Sequence, residues 1–124
     1  MLSSASIMAF VATRNADKAK AFYQDMLKLK LTADEPSALV FDANGTMLRI
    51  SKLQELSPAP FTVLGWKVKD IAAEIRELKG RRVAFESFKG FPQDDSGVWI
   101  SPSGAKVAWF KDPDGNLLSL TEFP

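Results

Sequence analysis

Apolar positions along the chain follow two patterns, and the pair of patterns occurs twice. Ile7-Met8-Ala9-Phe10-Val11-Ala12-Thr13 is a short β-favouring run. Asn15 follows as an N-cap with Asp17 in the first helical turn, and Ala19, Phe22, Tyr23, Met26 and Leu27 then recur at helical spacing. Phe61-Thr62-Val63-Leu64-Gly65-Trp66-Lys67-Val68 is the second β-favouring run. Asp70 caps the helix after it, whose apolar face is Ile71, Ala72, Ile75 and Leu78.

Each predicted helix leads into strand-like segments joined by turn signals. Ala38-Leu39-Val40-Phe41 runs through Asp42-Ala43-Asn44-Gly45 into Thr46 to Ser51, and Asn-Gly between apolar runs is a strong hairpin signal. In the second half Val98-Trp99-Ile100 precedes Ser101-Pro102-Ser103-Gly104, then Lys106 to Phe110. Asp112-Pro113-Asp114-Gly115 fits a type I turn before Asn116 to Glu122. The pattern predicts an α+β chain of two βαβββ modules, at about 5–52 and 61–124, with residues 53–60 as a linker carrying two prolines. Two helices of about eleven residues are too few to cover both faces of two four-stranded sheets. One sheet face must therefore meet a partner subunit, a ligand or water, and curved strands with helices outside leave a concave cup, a natural place for a small molecule.

Composition narrows the chemistry. A length of 124 residues suits one domain built from the two modules. Net charge is +1, and the longest basic cluster, Lys79-Gly80-Arg81-Arg82, reads as a solvated helix end, so no nucleic-acid partner is expected. No apolar run approaches the roughly eighteen residues of a membrane span, and Met1-Leu2-Ser3-Ser4-Ala5 opens no secretory leader, so a cytoplasmic protein without membrane contact is expected. The chain has neither cysteine nor histidine, which removes thiolate chemistry and the commonest general base and transition-metal ligand. Any metal would have to sit among carboxylate and carbonyl oxygens, a donor set for hard cations.

Two stretches carry a family likeness. Asn15-Ala16-Asp17-Lys18-Ala19-Lys20-Ala21-Phe22-Tyr23-Gln24-Asp25-Met26-Leu27 resembles the helix of the glyoxalase/bleomycin resistance/extradiol dioxygenase (vicinal oxygen chelate) superfamily, which carries a Phe-Tyr pair and ends in Leu-Gly-Leu. Here the ending is Leu27-Lys28-Leu29, with lysine in place of glycine. Val107 to Leu118, through Asp112-Pro113-Asp114-Gly115-Asn116, resembles the family's segment near the C-terminus. The likeness implies four equivalent metal-ligand places, seven positions before each cap and four after each turn glycine. In this chain they hold Met8, Arg49, Val63 and Ser119. Valine offers no donor, methionine sulfur is soft, arginine carries a fixed positive charge and serine is a weak neutral ligand, so no metal cofactor is expected.

Period-two alternation puts Met8, Phe10 and Ala12 on one face, with Met47, Arg49 and Ser51, then Val63, Gly65 and Lys67, then Leu117, Ser119 and Thr121. An apolar wall with a few polar groups suits a small molecule. The candidate ligand-binding residues are Met8, Phe10, Arg49, Val63, Lys67, Trp99, Ser119 and Thr121. Arg49 reads either as an anchor for an anionic or planar ligand or as half of a salt bridge to a carboxylate such as Asp42. Trp66 should face away from the cup, while Trp99 and Trp109 suit either packing or stacking. The segment from Glu86 to Gly97 has no counterpart in the first half and reads as a lid with Phe88 and Phe91 turned inward, or as an exposed loop. Asp94-Asp95 suits a hard cation or plain solvation. Three functions fit: a metal-independent binder of a small planar or anionic molecule, a diverged lyase, isomerase or dioxygenase relative using acid–base groups such as Glu122, Asp42 or Tyr23, or a domain that serves mainly as an interaction module. The resemblance further implies a homodimer.

Overall fold

A computed structural model describes residues 1–124 as two compact units, Met1–Ser57 and Pro58–Pro124. The first unit contains β1 (Met8–Thr13), α1 (Ala16–Ala21), β2 (Lys30–Asp34), β3 (Ala38–Ala43) and β4 (Thr46–Lys52). The second contains β5 (Thr62–Lys67), α2 (Ile71–Gly80), β6 (Trp99–Ile100), β7 (Lys106–Lys111) and β8 (Leu117–Glu122). Both units are βαβββ. Each sheet is mixed, in the orders β1-β4-β3-β2 and β5-β8-β7-β6, and only the β1–β4 and β5–β8 pairs are parallel.

The local chemistry explains both helices. Asn15 Oδ1 accepts from Lys18 N and Asp70 Oδ1 from Ala73 N, both at 3.1 Å, so each cap satisfies one otherwise orphaned amide. Each helix stops on a residue forced into the left-handed region, Lys28 (φ 61°) and Arg82 (φ 68°). The next amide then turns back onto the helix: Leu29 N donates to the Tyr23 carbonyl and Val83 N to the Leu78 carbonyl. Cap to stop takes thirteen steps in the first unit (15 to 28) and twelve in the second (70 to 82). The extra residue is absorbed by a π-helical turn, Phe22–Met26, that continues α1.

In the first unit α1 and its π turn lie on the face carrying Val11, Thr13, Leu39, Phe41, Leu48 and Ile50, all buried. Tyr23 is fully enclosed, its ring 5.1 Å from Phe22 and 5.9 Å from Phe41. In the second unit Ile71, Ile75 and Leu78 of α2 are buried with Ala108, Phe110, Leu118 and Leu120 of the sheet. Trp66 stacks on Phe110 at 6.3 Å, on the helix side as alternation requires. The Asn44-Gly45 hairpin has both residues at positive φ (51° and 93°), the geometry of a type I′ turn, and Asp42 Oδ1 accepts the Gly45 amide. In the other unit Gly115 N donates to the Asp112 carbonyl, the bond that closes the expected type I turn.

Three details go beyond the sequence reading. β2 is a strand with no pattern pointing to it, an edge strand (Lys30-Leu31-Thr32-Ala33-Asp34) with a register shift at Thr32. Its polar residues are tolerated because one side of the strand has no neighbour. Between Thr62 and Leu64 the β5–β8 register shifts, so Thr62 is the residue opposite Leu117 and Val63 is the unpaired one. Simple alternation back from Gly65 to Val63 therefore fails. Finally, Glu86 to Gly97 is held against the second sheet. The bridge Phe85↔Phe110 precedes it, Glu86 N donates to the Trp109 carbonyl, and the bridge Gln93↔Trp99 lies within it.

Candidate functional site

Residues paired across a ladder share a face, so the register identifies what lies on the side of each sheet away from its helix. In the first unit the rows are Met8–Met47–Asp42, Phe10–Arg49–Val40 and Ala12–Ser51–Ala38. Met8, Phe10 and Met47 are exposed, Phe10 at 59%. Arg49 lies half-buried among them, and its Nη2 is 2.8 Å from Glu35 Oε1. The partner is thus Glu35 and not Asp42, which is engaged in the hairpin turn. Glu35 directly follows the bulged strand β2, and that shift is why spacing alone did not reveal it.

In the second unit one row is Gly65–Ser119–Trp109, and the next is Lys67–Thr121–Val107–Trp99. Trp109 Nε1 donates to Thr62 Oγ1 at 3.1 Å. Trp99 and Trp109 lie 6.1 Å apart, centroid to centroid. Phe91 meets Trp99 at 5.2 Å and Phe88 meets Trp109 at 5.3 Å, both near perpendicular. Four aromatic rings thus cluster on the helix-free face, and two of them come from the Glu86–Gly97 segment. One side chain holds that segment in place: Gln93 Oε1 accepts from Phe88 N, and its Nε2 donates to the Glu86 and Gly97 carbonyls. Asp94 Oδ1 accepts from Ser96 N, Ser96 Oγ and Val98 N, and the Ser96 hydroxyl first, then Val98 N, hold its carboxyl below the ordinary range.

The eight candidate residues divide between the two sheets. Met8, Phe10 and Arg49 lie on the first sheet; Lys67, Trp99, Ser119 and Thr121 lie on the second, with Val63 at its bulge. Ser119 is 7% exposed, directly across from Gly65, where an added Cβ would come within 2.7 Å of Ser119 Oγ. Lys67 Nζ lies 5.9 Å from the Phe123 ring centroid. Thr62, Phe88, Phe91 and Trp109 join the second face. Thr62 was concealed by the bulge, whereas Trp109 was already legible as the alternation partner of Val107.

The suggested acid–base groups have structural duties. Glu122 projects to the helix side, where Oε1 accepts the Ile71 amide at the start of α2 and Oε2 lies 3.6 Å from Lys106 Nζ. Asp42 closes the hairpin and Tyr23 is enclosed in the first core. The four places where the family resemblance puts metal ligands hold two apolar side chains, an ion-paired guanidinium and one hydroxyl. That set does not fit a catalytic divalent metal, and no three acidic side chains converge elsewhere.

A family model, described as Glyoxalase/Bleomycin resistance protein/Dioxygenase superfamily, matches residues 5–120. The chain belongs to this superfamily. Among solved structures, a superfamily member from Sphaerobacter thermophilus DSM 20745 is similar at TM-score 0.76 and 22% identity, covering 98% of this chain and 99% of that one. A glyoxalase family protein from Enterococcus faecalis is similar at 0.74 and 22%, covering 98% and 100%. A lactoylglutathione lyase from Agrobacterium tumefaciens is similar at 0.74 and 19%, covering 96% and 93%. At such identities the likeness establishes the shared fold. No curated protein matches the sequence. No helix is long and apolar enough to cross a membrane.

Proposed function

We propose that this superfamily member binds a small planar or anionic molecule without a catalytic metal. The observation that carries the reading is the make-up of the helix-free sheet faces. They present exposed apolar and aromatic side chains with a few cations and hydroxyls, the composition of a small-molecule site. Met8, Phe10 and Arg49 would serve on the first face, and Lys67, Trp99, Ser119 and Thr121 on the second. A diverged enzyme gains no comparable support, because Glu122, Asp42 and Tyr23 are each engaged in holding the fold.

Calorimetric titration of metal-stripped protein with small aromatic and anionic compounds tests this reading. Saturable binding in the presence of a chelator, with the bound compound recovered unchanged, is the expected result. Binding that appears only after a divalent metal is restored, or conversion of the compound, would overturn it.

A further inference from the structure

Two cations stand on the helix-free faces, and they differ in one respect. The charge of Arg49 is already matched by Glu35 at 2.8 Å. Lys67 has no carboxylate partner; its only close neighbour of note is the ring of Phe123. The hydroxyls beside Lys67 are also uncommitted. Thr121 is its ladder partner, and Ser119 stands two residues earlier on β8. Ser119 Oγ makes no hydrogen bond within the chain, yet no buried side-chain polar atom lacks a partner, so this hydroxyl reaches the surface. Gly65 keeps it accessible, since a Cβ at that position would lie 2.7 Å from it.

The aromatic cluster lies on the same face, within one ligand's reach. Strands are spaced about 4.8 Å apart, so Trp109 stands roughly 10 Å across the sheet from the β5 row and Trp99 roughly 14 Å from Lys67. Allowing a hydrogen bond of about 3 Å at the ammonium and van der Waals contact at the indole, a single ring bearing an acid group spans the interval to Trp109. An isolated ammonium flanked by hydroxyl donors suits a carboxylate, and tilted indoles suit a planar ring.

From this we infer that the helix-free face of the second sheet carries a site for an aromatic monocarboxylate. Lys67, Thr121 and Ser119 take the carboxylate, and the Trp99–Trp109 cluster takes the ring. The inference rests on the binding reading above and narrows it to one ligand class and one face.

The test is titration with benzoate and its neutral counterpart benzamide, followed by tryptophan fluorescence and calorimetry, in the natural protein, Lys67→Gln, Arg49→Gln and the surface control Lys18→Gln. Benzoate should bind at least tenfold tighter than benzamide. Lys67→Gln should abolish that preference, and an unchanged far-ultraviolet circular dichroism spectrum shows that the variant is folded. Lys18→Gln should keep the preference. Equal binding of the two compounds, or a preference that survives Lys67→Gln, overturns the inference. So does a preference lost in Arg49→Gln but kept in Lys67→Gln, which would leave the broader reading standing on the first face. Saturable binding of neutral indole or inorganic phosphate in place of benzoate likewise overturns the inference and leaves the broader reading intact. Failure of every probe to bind overturns both.

Discussion

Lys28 occupies a backbone conformation that costs a non-glycine residue about 1 kcal/mol or more, and it does so where the family likeness has glycine. Its side chain is exposed, so the conformation is imposed by the helix stop and nothing in its contacts requires lysine. Lys28→Gly should therefore stabilise the protein by roughly 0.5–1 kcal/mol, visible as a melting temperature higher by a few degrees. An unchanged or lower value would mean the lysine has a role beyond the turn. The caps behave in the opposite sense. Asn15→Ala and Asp70→Ala each remove one acceptor at a helix start and should each cost about 1 kcal/mol in chemical denaturation. Glu122 sits across from that same helix start. Glu122→Gln keeps an oxygen for the Ile71 amide but drops the charge that faces Lys106, so a small loss of stability is expected, with ligand affinity unaffected.

At the scale of elements, two acidic residues fasten an edge strand and a loop. Lys52 Nζ, 2.6 Å from Asp34 and assisted by Lys20 Nζ at 3.7 Å, holds the Asp34 carboxyl below its ordinary range and fastens edge strand β2. Asp94 does the same for the loop before β6. A carboxyl with a depressed folded-state pKa stabilises the protein above its unfolded pKa and loses that contribution as pH falls through the folded value. Unfolding midpoints should thus be flat from about pH 8 to 5, where no histidine titrates, and fall below about pH 4. The fall should be shallower in Asp94→Asn. Gln93→Ala removes three hydrogen bonds from the aromatic segment and should raise amide exchange across residues 86–97 and shift tryptophan emission, with the α2 core unchanged.

These elements also show what the sequence could and could not reveal. Both caps, the Asn44-Gly45 hairpin, the type I turn and the helix-side facing of Trp66 were legible because each rests on contacts within a few residues or on strict alternation. β2, the bulge at Val63 and the Arg49–Glu35 pair were not. Each depends on an irregular register, which becomes visible only once the strands are paired. Phe88 and Phe91 were readable as residues able to turn inward, but their contacts with Trp99 and Trp109 follow from the Gln93 clamp, which no periodicity signals.

For the whole molecule, the superfamily fold alone leaves the chemistry open, and the side chains on the sheet faces must decide it. We propose a homodimer, on the ground of the superfamily membership alone. Gel filtration at micromolar concentration should show the dimer, and a monomer would count against it. The central claim is that ligand binding here needs no metal. A thermal-shift experiment with two arms addresses it most directly. One arm contains nickel, zinc, manganese or iron, and the other small aromatic and anionic compounds with a chelator present. A ligand at a hundredfold its dissociation constant stabilises the native state by about 2.7 kcal/mol, a shift of several degrees. Stabilisation by organic compounds in the chelated arm, with none from the metals, is the predicted result. Stabilisation by a divalent metal, with organic compounds acting only in its presence, would contradict the account.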